Sequence, residues 1–194
     1  MGRFSSREKT VKKKLVSVLN GINSHPQNYV KNPGKDMTRK RVLSLRLTME
    51  ALIGMEGNSL VKETYQFGRN QTVSFTPSAF VQARDKIRPE AFRQVMLQFN
   101  EACEKYNTEK YRGYRLIAVD GTKICISRDP ESNTYFEQKG KKGYNQIHIS
   151  ALYDVLNNYY LDAIVNSIND YNEPHECFEM FERTSCGRKT ILLA

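Results

Sequence analysis

The hydrophobic period of this chain changes once, near Tyr111, and that change limits what it can fold into. Ahead of it, apolar side chains recur at spacings of three and four, as along Val42, Leu45, Met49 and Leu52, the repeat of one helix face. Beyond it they alternate with a period of two, the repeat of a strand. The expected class is α+β, a helical N-terminal region followed by a sheet.

The first strand expected is Arg115–Ile126. One of its faces carries Leu116, Ala118, Asp120, Thr122, Ile124 and Ile126, so Asp120 stands in the middle of a largely apolar row. An unpaired carboxylate is costly to bury and usually has a cation, a metal or several donors beside it. Asp120 is therefore a site candidate. The other reading of Asp120-Gly121 is a turn that ends one strand and starts the next, with the carboxylate in water.

A polar stretch, Ser127 to Gly143, carries Lys139, Lys141 and Lys142 close to Gly140 and Gly143. Strands are expected at Asn145–Tyr153 and Tyr159–Val165, joined by a tight Asn157-Asn158 turn, since Asn tolerates positive φ. Short connections make these three strands an antiparallel meander. A helix from Glu173 to about Thr184 follows, with Asn172 as cap, Pro174 in its first turn, Phe178 and Phe181 as anchors and Gly187 as a stop signal. Lys189–Ala194 reads as a fourth strand, which a helical crossover can bring in parallel to the first. An apolar central strand closing the sequence implies a fragment of a longer protein or an interrupted reading frame; a strand that ends naturally at Ala194 is the alternative.

In the N-terminal region, residues 1–37 read as a basic arm with a short helix over Lys9–Leu19. Residues 38–110 read as a helical DNA-binding region, and 111–194 as the sheet domain. Helices are expected over Thr38–Met55, Ser59–Phe67, 77–87 (Thr76 capping, Pro77 first) and from Pro89 to about Tyr106. The last pair reads either as a helix-turn-helix or as part of a small helical bundle.

Charge separates the function classes. Residues 1–50 hold 12 Lys and Arg against three acids, which accounts for the whole net charge of +9; the remainder is balanced. Positive charge confined to one end is the footprint of a polyanionic partner, most often nucleic acid, and a solvated basic tail is the alternative. No apolar run approaches the length of a membrane span, and the basic N-terminus has no apolar secretory core, so a cytoplasmic setting is expected. The four cysteines form no zinc-like spacing, and His175 with Cys177 supplies only two potential metal ligands.

Taken in order, Thr76–Ile87, Arg115–Thr122, Gly143–Asp154, Leu161–Ile164 and Asn172-Glu173 resemble insertion-sequence transposases of the DDE class, the IS-four-like group, from about Thr38 onward. The resemblance implies a ribonuclease-H-like mixed sheet: three antiparallel strands, a crossover helix and the start of a fourth, parallel strand. It implies three carboxylates holding two Mg²⁺ ions. Asp120 corresponds to the first of them, and is both the catalytic and the metal-binding residue implied. The second would follow Ala194 immediately, and the third, a Glu with Tyr, Arg and Lys nearby, lies further on. Two metals about 4 Å apart clamp the attacking and leaving oxygens of an in-line phosphoryl displacement, and Mg²⁺ takes octahedral oxygen ligands. One carboxylate cannot organise that pair, so the expectation is a transposase fragment that binds DNA without cutting it.

Asp154 and Asp162 could substitute for the missing acids, but read as structural, Asp154 starting a turn and Asp162 on an exposed strand face. The resemblance also implies DNA partners, the terminal inverted repeats and target DNA, and association with itself or with a full-length transposase. Arg39, Lys40, Arg41, Arg84, Lys86, Lys139, Lys141 and Lys142 are the DNA-binding candidates. A stand-alone DNA-binding or regulatory module and a ribonuclease-H-like nuclease with an unusual site are the other two readings.

Overall fold

The computed structural model describes residues 6–38, 42–104, 109–137, 139–184, 186–187 and 189–193. Among them are six α-helices and a mixed five-stranded sheet, an α+β arrangement. The chain divides into two compact units between Cys103 and Glu104.

The first unit is a helical bundle: α1 (Ser6–Asn23), α2 (Leu45–Ile53), α3 (Leu60–Gln71), α4 (Pro77–Arg84) and α5 (Glu90–Cys103). Where the sequence suggested an arm, α1 runs for 18 residues and packs on α2 and α5. Val18, Leu19 and Ile22 join Leu45, Met49, Ala91 and Val95 in one core. Residues three and four apart on α1 place these side chains on one stripe, and burying them outweighs the charge of the rest of the helix. A second core joins Leu43, Ala51, Phe80 and Ala83. α4 packs on α2 and α3 while α5 packs on α1, so the pair sits within a helical bundle.

Caps set the helix starts. The α2 helix begins at Leu45 rather than Thr38 because the Ser44 hydroxyl accepts the Leu47 N–H, and Val42 stays outside, half exposed. Thr76 caps α4 in the same way through the Ala79 N–H, with Pro77 first in the helix. The bridge Val30↔Ile87 pins the preceding loop: Lys31 N–H donates to Lys86 and Arg88 N–H to Tyr29.

The second unit is built on β1 (Arg115–Ile126), β2 (Tyr135–Phe136), β3 (Tyr144–Asp154), β4 (Tyr159–Ser167), α6 (Glu173–Arg183) and β5 (Thr190–Leu193). β3 is antiparallel to β1 and to β4, with Asp120 opposite Ala151 and Ser150 opposite Ile164. β5 returns parallel to β1, pairing Leu116 with Ile191 and Ala118 with Leu193. The short β2 lies in the polar Ser127–Gly143 stretch, where no strand is expected from the sequence, and continues the β4 edge of β3. Asn158 takes φ 57° in the β3–β4 turn, as its side chain permits.

Among the described residues of this unit, α6 is the one helix, and it packs on one sheet face. Met180 is fully buried there against Ile117, Leu152 and Leu161. Phe178, expected as an anchor, is 72% exposed; Phe181 packs at the rim of this core. The two lie three positions, about 60° around the helix, apart, which is enough to carry Phe178 off the contact stripe. No helix of the described residues is long and apolar enough to cross a membrane.

Candidate functional site

β1 runs unbroken through Asp120-Gly121, so the turn reading of that pair does not hold. The alternation assigned from sequence is present. Ile117 and Val119 face α6, whereas Leu116, Ala118, Asp120, Thr122, Ile124 and Ile126 share the opposite face. The expectation that Asp120 would be buried is corrected, because its side chain is exposed. α6 covers only the other face, and the β1–β5 pairing ends at Ala118↔Leu193, two residues before Asp120. One Asp120 oxygen accepts the Gly121 N–H at 2.8 Å. Its neighbours on the face include Ala118, Thr122 and Ala151, and Ile124 and Ile126 further along are each 42% exposed.

Asp120 is the one acid among the strand residues of that face. Among the described residues no three or more His, Cys, Asp or Glu side chains gather where they could hold a metal ion. The residues present therefore do not fit a Mg²⁺ pair, which needs several oxygen ligands around each ion.

Asp154 is fully buried and ion-paired with Arg115 at 2.5 Å; its other oxygen accepts the Asn157 N–H and side-chain amide at 2.9 Å. It starts the turn, as expected. Asp162, expected on an exposed face, is 1% exposed and held by Arg183 of α6 at 2.8 Å. A bulge between Leu152 and Tyr153 shifts the β4 register and turns Asp162 toward α6. Both acids clamp the fold, and their lone pairs are already committed.

Behind Asp120 lies a cluster that the sequence reading passed over. A Cβ at Gly121 would stand 2.7 Å from His148 Nε2 and 2.9 Å from Glu173 Oε1, so these two groups occupy the space that glycine leaves. His148 is 1% exposed and stacks on Tyr171 at 4.2 Å. Its Nε2 lies 3.0 Å from Glu173, and its Nδ1 lies 3.5 Å from Glu176, too long for a good hydrogen bond. Glu176, 2% exposed, accepts from the Ser150 hydroxyl (2.5 Å), the Asn166 amide (2.6 Å) and the Asn172 N–H (3.2 Å). Burial alone would raise the Glu176 carboxyl; the Ser150, Asn166 and Asn172 hydrogen bonds and the nearby His148 hold it below its ordinary value. The signal in the sequence was polar residues at period two on the α6 side of β3 (His148, Ser150, Asp154), matched by Glu173 and Glu176 three apart on the helix.

The basic candidates fall into separate groups. Arg39, Lys40 and Arg41 lie outside the described residues. Arg84 is exposed at the end of α4, and Lys86, just beyond it, is half-buried. Lys139, Lys141 and Lys142 stand exposed around Gly140 in the β2–β3 turn, which Gly140 closes at φ 74°. On α1, Lys12 and Lys13 are exposed. With Lys14 they form the run Lys12-Lys13-Lys14, visible in the sequence.

No protein-family model, curated protein or solved structure matches the chain.

Proposed function

We propose that this chain is a DNA-binding protein of the DDE-transposase kind, acting in the cytoplasm at the nucleoid. The observation that carries the reading is the charge distribution: the whole net charge of +9 resides in residues 1–50. Exposed lysines on α1 and in the β2–β3 turn supply phosphate contacts, which give affinity and register without sequence information. The transposase part rests on the ordered sequence resemblance. It is supported by the antiparallel β1–β3–β4 arrangement and the α6 crossover to a parallel β5, which is the order a ribonuclease-H-like sheet would take.

The proposed activity is binding rather than strand cleavage, because the described residues bring no second acid to Asp120. The ligands it takes in this reading are the terminal inverted repeats and target DNA, with another transposase chain as a protein partner. A stand-alone DNA-binding module makes the same salt-dependent contacts and differs only in lacking preference for insertion-sequence ends.

The test is plasmid binding as a function of salt, with a nicking assay in parallel. Affinity should fall steeply, by at least about tenfold, between roughly 50 and 200 mM salt. Binding that is absent at low salt, or insensitive to salt, would overturn the reading. Mg²⁺-dependent nicking of supercoiled plasmid that disappears in Asp120→Asn would instead favour a nuclease with an unusual site.

A further inference from the structure

The helical unit contains a cavity of about 600 Å³, within the usual size range of small-molecule sites. Its floor is apolar and includes Phe75, Leu43 and Ala83. The Phe75 ring is held against Phe80 at 6.2 Å with the planes 26° apart, which leaves it a fixed flat surface. Among the described residues, two cations line the cavity, Lys35 from the turn after Pro33 and Lys86 from beyond α4, and no acid does. The acid at the end of α4, Asp85, is engaged by Lys31 at 2.9 Å. The cavity also meets the first turn of α4 at Thr76 and Ala79, where the Thr76 hydroxyl already accepts the Ala79 N–H.

We propose that this cavity binds a nucleoside monophosphate unit, with the base on the Phe75 floor and the phosphate at Lys35 and Lys86. Two lysines with no balancing acid among the described lining residues call for an anion. A flat apolar floor beside Gln82 and Thr76 calls for a ring with a polar edge. An acyl chain would leave those polar groups against hydrocarbon. The unit can come as a free mononucleotide or as a nucleotide extruded from DNA; the second source rests on the DNA-binding reading above.

Calorimetric titration of the full chain with dAMP, adenosine and inorganic phosphate tests the site. dAMP is expected to bind saturably and at least about tenfold more tightly than either part. Ala79→Trp, at an exposed helix position, plugs the cavity without changing charge and should weaken dAMP at least about tenfold. Lys35→Gln with Lys86→Gln should weaken dAMP but not adenosine, and decides the matter if the tryptophan variant does not fold. No saturable dAMP binding, or binding indifferent to the variants, overturns the proposal. A second arm compares a paired duplex with one carrying a single unpaired adenine. A preference for the unpaired adenine that Ala79→Trp removes assigns the extruded nucleotide, and equal affinities assign the free one. If no duplex binds at low salt while dAMP still does, the DNA reading fails and the nucleotide site stands.

Discussion

At the scale of single residues, the second unit is decided by polar groups on a buried sheet face. Gly121 is required there by contact rather than by φ, since a methyl group would enter the His148 ring. Glu173 is exposed and has room to yield, but His148 is buried and stacked on Tyr171. Gly121→Ala should therefore cost about 1–3 kcal/mol in urea unfolding, the range for overpacking. Glu176 makes a prediction of definite sign. Its carboxyl is held below its ordinary value in the folded chain, so it binds a proton more readily when unfolded. Its stabilisation is complete above roughly pH 4.3 and is lost as pH falls through the lower folded value. Glu176→Gln should lower stability at neutral pH by about 2 kcal/mol and flatten the acid limb of the stability–pH curve. An acid limb of unchanged steepness in Glu176→Gln would show that the carboxylate is not the group titrating.

At the scale of elements, helix starts were written by hydroxyl side chains, and the structure ranks them. Ser44 and Thr76 accept N–H groups of their helices, whereas Ser59 stands before α3 without such a bond. Ser44→Ala and Thr76→Ala should each cost about 1 kcal/mol in denaturant unfolding, and Ser59→Ala only a few tenths. On α6, Met180→Ala should cost about 2–5 kcal/mol by opening a cavity, and Phe178→Ser about 0.5 kcal/mol or less. The same elements show what local pattern can reveal. β1 was legible to the residue because alternation and β-branched content agree over its full length. Asn172 and the Asn158 turn were legible because their side chains act within a few residues. The reach of α1 into the core, the burial of Asp162 and the His148 cluster were not. Each depends on partners far along the chain: α5 for α1, Arg183 for Asp162, Glu173 and Glu176 for His148. The exposure of Asp120 was missed for a related reason, since alternation fixes which face a side chain takes but not what covers that face.

At the scale of the whole molecule, charge is distributed against the grain of the fold. The excess lies in the first 50 residues, yet α1 is part of a core there and not a detachable arm. Removing residues 1–37 would take Leu19 and Ile22 out of that core, and a loss of DNA binding would then report unfolding as readily as lost contacts. Substituting exposed charges avoids this. Lys12→Gln with Lys13→Gln leaves the buried side chains of α1 intact while removing two exposed cations. If those lysines meet phosphates, plasmid affinity at low salt should fall, and the slope of log affinity against log salt should become shallower by about 1–2 units, since each phosphate contact contributes about 0.9. Lys141→Gln with Lys142→Gln makes the same test in the β2–β3 turn of the second unit. A change of slope for both pairs means that both units lie on the DNA. A change for the α1 pair alone confines binding to the helical bundle, where the charge imbalance is written. Unchanged slopes in both, with the fold intact by circular dichroism, would mean that neither cluster meets the backbone and would remove the physical support for DNA as the partner.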